Sequence, residues 1–194
     1  MKPPSPALAP PGAGLPWPEL QIARLRFAWR LRRGSPAAFD AAFERERDAI
    51  LTLVRPLDEA TAARRVLIRR PRGLEDSSRD WSVWMTLDHL RITNTRFAQA
   101  ITLLRTGRVP PQPASTAAVK PAPEVDAGVV AAFEASCQAL LEASAPLRES
   151  CSDTTYAHPW FGPLDARGWQ ALASFHLGLH RVQIERILAD LTSR

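Results

Sequence analysis

Along most of the chain, apolar residues recur at alternating intervals of three and four, the period that lines one side of an α-helix. Val83, Leu87, Leu90, Asn94, Phe97, Ile101 and Leu104 follow it. They predict a long helix from Trp81 to Thr106, with Asp80 as its N-cap and Gly107 as its stop. Phe39, Phe43, Ile50 and Val54 predict a helix over 36–55, capped by Ser35 with Pro36 at its first position. Val125, Val129, Phe133, Leu140 and Leu141 predict a third over 124–148. A last helix, over 165–191, sets Trp169, Leu172, His176, Leu179, His180, Gln183, Ile187 and Leu191 on one side. A further helix from Pro18 to Arg33 places Leu20, Ala23, Phe27 and Leu31 opposite a row of arginines.

These elements predict an all-α protein: a four-helix bundle over 36–194, preceded by an arm over 1–35. The proline-rich residues 1–16 read as disordered. Residues 58–80 read as irregular around a short helix from Thr61 to Leu67. Residues 108–123, also rich in proline, are long enough to cross over the bundle. Residues 150–165 read as a loop, and no strand or internal repeat is evident.

The 194 residues suffice for one domain with a proper core. The net charge of +5 is local. Lys2, Arg24, Arg26, Arg30, Arg32 and Arg33 face only Glu19 in the first 35 residues, which leaves the rest balanced. A balanced body argues against a nucleic-acid groove, which needs basic charge spread over a surface. No apolar run is long enough to span a bilayer, and the first residues lack the apolar core of a secretory signal. Cys137 and Cys151 make no disulfide framework; both read as inert free thiols in a cytoplasmic protein. The basic helix has a short apolar side, suited to docking on the bundle or a second subunit and giving only weak membrane attachment alone.

The polar residues inside the last apolar stripe carry the chemistry. His176 and His180 stand one turn apart, with Gln183 on the same side. Burying such groups unpaired costs about 1–3 kcal/mol each. A metal ion explains the pair, since two imidazoles at this spacing can meet on one ion. A polar core network explains it equally. His89, on the flank of the stripe of its own helix, is the candidate third ligand. Three neutral imidazoles would leave open coordination positions, the arrangement of a catalytic ion, and Zn²⁺, Ni²⁺ and Fe²⁺ all suit them.

Further residues complete a recurring pattern. Trp81-Ser82 precedes Asp88-His89-Leu90; His158-Pro159 is followed by Phe161-Gly162-Pro163-Leu164, then Trp169, then His176, His180 and Gln183. In this order and spacing the chain resembles the DinB-like superfamily of four-helix-bundle metalloenzymes over about residues 36–191. The resemblance implies that His89, His176 and His180 bind a divalent metal ion. It also implies thiol-dependent transferase or isomerase chemistry on a small-molecule substrate, with a low-molecular-weight thiol as a candidate partner and oxidation at a three-His iron site ranked lower. Relatives commonly form homodimers. Many carry two adjacent histidines in the last motif, where Leu179 stands here. Members that have lost their ligands bind no metal, so the contrasting expectation is a non-catalytic, stress-related scaffold that acts through the basic arm.

No catalytic residue is assigned. Gln183 is a candidate to bond a ligand imidazole or a core neighbour. His158 and Trp160 are candidates for a pocket rim, and Tyr156 for an acid or a packing group. Asn94 would face the pocket or fix bundle register. Asp88 is expected to be solvated or to cap.

Overall fold

The structure, a computed structural model, describes residues 7–148 and 152–192, and of Arg148 only the backbone. Six helices form it: α1 (Trp17–Arg33), α2 (Pro36–Val54), α3 (Glu59–Ala63), α4 (Val83–Arg105), α5 (Val129–Ser144) and α6 (Ala166–Thr192). Helices α2, α4, α5 and α6 make the bundle. Helix α4 packs against α5 and α6, and α2 closes on α6. Their facing apolar residues, among them Phe43, Ile50, Leu87, Ile101, Phe133, Leu140, Leu177 and Ile184, form one buried core. Helix α1 lays Phe27 against this body, with Leu31 packed beside it.

The local chemistry explains the boundaries. Ser35 Oγ accepts the Ala38 amide at 3.2 Å and starts α2 as expected. Helix α4 begins later than its periodicity suggests. Ser82, not Asp80, is its N-cap, accepting from Met85 N at 3.1 Å. Asp80 and Trp81 are extended instead and pair as strand β2 (Asp80–Trp81) with β1 (Val66–Leu67), while the Asp80 carboxylate binds Arg65 at 2.8 Å. Helix α5 is shorter at both ends than expected, and a 3-10 turn at Ala145–Arg148 follows it. Pro146, within that turn, has no amide with which to continue the ladder.

Two departures bear on the site. The expected loop before α6 contains an antiparallel hairpin, β3 (Tyr156–His158) with β4 (Gly162–Leu164), in which His158 lies opposite Gly162. Residues 7–16, expected to be disordered, have no regular structure but are tied to the body. Ala9 N donates to Asp76 Oδ2 at 2.9 Å, and Gly12 N and Gly14 N both donate to Glu75 Oε1 at 3.1 Å. Gly12 and Gly14 have φ of 86° and 79°, a region closed to most side chains, and this lets both amides face one carboxylate. Residues 1–6 and Cys151 lie outside the described residues.

Candidate metal centre

Helices α4 and α6 bring three imidazoles together. One ring nitrogen from each of His89, His176 and His180 lies within 4.8 Å of the other two. The His89 ring centre is 5.0 Å from that of His176 and 4.5 Å from that of His180, and the α6 pair are 4.5 Å apart. His89, on the flank of its helix's apolar stripe, is nonetheless buried, because α4 is enclosed on nearly every side between Val83 and Leu90.

Two rings are oriented from behind by oxygens. His89 Nδ1 lies 2.6 Å from the carbonyl of Val119, which a 3-10 turn in the crossover presents. His180 Nδ1 lies 2.7 Å from Gln183 Oε1. The Gln183 amide is itself fixed, because its Nε2 donates to Ser78 O at 2.7 Å. A carbonyl oxygen only accepts, so each Nδ1 carries the proton and each Nε2 keeps its lone pair. His89 Nε2 lies 3.2 Å from His176 Nε2. Two bonds of about 2.0 Å at a tetrahedral angle would hold donor nitrogens about 3.3 Å apart, so this pair fits a common ion. Carbonyl-backed imidazoles are also the usual supports of metal-ligating histidine. His176 Nδ1 is buried without a hydrogen-bond partner among the described residues.

The surroundings keep these rings neutral. Burial lowers His89 to about 4; the Val119 carbonyl opposes that shift and the nearby Lys120 charge adds to it. Burial likewise lowers His176 and His180 well below the ordinary value, aided by their mutual proximity. Neutral imidazole is the form that binds metal. The indole of Trp81 stacks on His180 at 6.2 Å and lies 5.1 Å from the His89 ring, so it walls the cluster on one side.

On the other side the cluster opens into a cavity of about 1000 Å³. Phe97, Trp160, Phe161, Leu172 and Phe175 are among its mainly apolar walls. A volume and lining of this kind suit a small organic molecule.

The DinB superfamily sequence pattern matches residues 42–184, from within α2 through most of α6, and includes all three histidines. The chain belongs to the DinB superfamily. A crystal structure, that of the four-helix bundle protein TT2238, has the same fold. It superposes with a TM-score of 0.54 at 22% identity, over 78% of this chain and 98% of that one. No curated protein sequence matches the chain. Helix α1 and the tied segment before it lie outside the matched residues of this DinB-superfamily chain.

The remaining candidates separate. His158, Trp160 and Tyr156 line the cavity. His158 is not part of the three-ring cluster: its Nδ1 accepts the Trp160 amide at 3.1 Å, and its ring packs on Phe161 and Trp169. Burial lowers it to about 4. Tyr156 stacks on Trp169 and donates to Gln112 O at 2.6 Å, so its hydroxyl braces the crossover. Asn94 does not line the cavity; its amide faces α5, bonding Ser136 and Cys137. Asp88 is neither solvated nor a cap. It is buried, accepts from Ala122 N at 3.0 Å and pairs with Arg91, and so ties the crossover to α4. Cys137 is fully buried, and burial pushes its thiol up to about 12, as an inert thiol requires.

Glu75 and Lys120 escaped the sequence reading. Lys120 Nζ donates to Glu75, Ser77 and Ser78 beside the histidines and lies 5.4 Å from the Trp81 ring. Glu75 also receives Thr116 Oγ1 and the two glycine amides, so one buried carboxylate joins the arm, the crossover and the loop before α4. A signal was present. Lys120 is the only lysine after Lys2 in a chain otherwise supplied with arginine.

Proposed function

We propose that this protein is a metal-dependent enzyme in which His89, His176 and His180 hold one divalent ion, Zn²⁺, Ni²⁺ or Fe²⁺, at the floor of the cavity. The observation that carries this reading is the orientation of the rings: the Nδ1 atoms of His89 and His180 are spent on oxygens, which leaves Nε2 lone pairs for the common centre. A bound ion of this kind lowers the pKa of a thiol or water that it binds.

The protein's own groups do the rest. Val119 and Gln183 hold two imidazoles in the ligating tautomer. Burial keeps the rings neutral. The aromatic walls bind the apolar part of a small substrate and exclude bulk water. The family resemblance favours transferase or isomerase chemistry with a low-molecular-weight thiol, and hydrolysis with water as nucleophile would use the same centre.

The test compares ion-free protein with protein reloaded with each of the three ions, using a small thiol and a soluble electrophile such as a chlorodinitrobenzene. Thioether formation that requires the ion and disappears in His176→Ala supports the reading. A rate unchanged by removal of the ion overturns it.

A further inference from the structure

We propose that α1 docks the protein on an anionic lipid surface. Six large apolar side chains stand out as exposed among the described residues, and four of them, Trp17, Ile22, Leu25 and Trp29, belong to this one helix. Leu25 is 73% exposed and Trp29 62%, although Phe27 between them is buried. At about 100° per residue, Ile22, Leu25 and Trp29 form a stripe. Arg26 and Arg33 flank it on one side and Arg32 on the other, all within an arc of about 120°. All three arginines are exposed, and the Arg33 guanidinium lies 5.4 Å from the Trp29 ring.

The opposite side of α1 is already committed. Phe27 packs on Phe161 and Phe175, Arg30 donates to Ser174 at 2.8 Å, and Arg24 donates to Trp160 O at 2.6 Å. Glu19, the only acid of the helix, is turned inward onto Arg70 and the Gly73 amide. The outer face therefore carries positive charge with no acid of its own helix beside it, and it is held outward by these contacts.

Charge decides the occupant. A second copy related by a two-fold axis would oppose arginine to arginine. A nucleic acid would use the arginines but leave the Trp-Leu-Ile stripe in water. A bilayer with acidic headgroups takes both: the apolar stripe enters the headgroup boundary and the flanking guanidinium groups meet phosphates. No helix among the described residues is long and apolar enough to cross a membrane, so the contact is peripheral.

The test is co-sedimentation of the full chain with vesicles of phosphatidylcholine alone and of an equal mixture with phosphatidylglycerol. The wild type is expected to bind the mixed vesicles and release with salt. Arg26→Gln, Arg32→Gln and Arg33→Gln together should weaken binding on the order of 100-fold. Ile22→Ser, Leu25→Ser and Trp29→Ser together should abolish it. These positions are exposed, so both variants should keep the wild-type melting temperature. Failure of the wild type to bind mixed vesicles overturns the proposal, as does binding that neither variant alters. Self-association lost with the serine variant, without vesicle binding, would give the face to a second copy. Duplex DNA binding that survives the serine variant, without vesicle binding, would give it to nucleic acid.

Discussion

Helix α6 carries two buried polar clusters that answer to different needs. Near its start, Gln170 Nε2 and Ser144 Oγ both donate to Asp40 Oδ1, at 2.7 and 2.9 Å, and so link α2, α5 and α6. Donors there meet an acceptor within the protein, as a structural network requires. Farther along, His176 and His180 meet His89 with ring nitrogens turned toward one another, two of the rings fixed from behind by Val119 and Gln183. Donors and acceptors converge in the first cluster, while in the second the acceptors converge with few donors among them. Burial alone does not distinguish a ligand site from a register-setting network; the proposal of a ligand site rests on the direction of the lone pairs.

The sharpest way to break this comparison is to remove one member of each cluster. His176→Ala should reduce the bound divalent ion from about one per chain to nearly none, read by elemental analysis after dialysis. Asp40→Ala should leave the ion in place but cost about 3 kcal/mol of stability in denaturant, because Gln170 and Ser144 lose their shared acceptor. Loss of the ion in Asp40→Ala would erase the distinction.

Acid should separate the clusters next. Burial holds His89 and His158 at about 4, against an ordinary value of 6.5. Between those values the unfolded chain takes up protons that the folded chain refuses, so stability is full above about pH 6.5 and falls as the pH drops toward 4. In ion-free protein each ring should cost about 2 kcal/mol between pH 7 and pH 5. Thermal melts should show this, and His158→Phe should recover its share.

Smaller effects refine the contrast between two fully buried amides. Gln183→Leu removes the oxygen behind His180 and should weaken ion binding about 10- to 100-fold in a chelator competition. Asn94→Ala, which breaks contacts to α5, should cost about 1 kcal/mol of stability and leave ion affinity unchanged.

The helices were legible because each apolar repeat has a facing partner to bury against: Val83, Leu87, Leu90 and Leu104 keep their period and all lie in the core. His176 and His180 were legible for the opposite reason, as polar residues where apolar ones belong. The burial of His89 was not legible, because a helical wheel places a residue relative to its own stripe only. It cannot include Trp81 or the Val119 turn, which enclose α4 from outside its bundle face. The strands, two or three residues long, are too short to display alternation. Glu75, Lys120 and Asp88 looked like ordinary solvated charges. The burial of Glu75 and Asp88 and the partial burial of Lys120 follow from the crossover folding back across the bundle, a long-range event that no local spacing records.

X-ray absorption at the metal edge of zinc-loaded protein tests the three-histidine centre most directly. Three imidazole nitrogens at about 2.0–2.1 Å, with the outer-ring scattering of imidazole, is the predicted spectrum. A shell of oxygen alone, or zinc that dialyses away from the wild type, would contradict it.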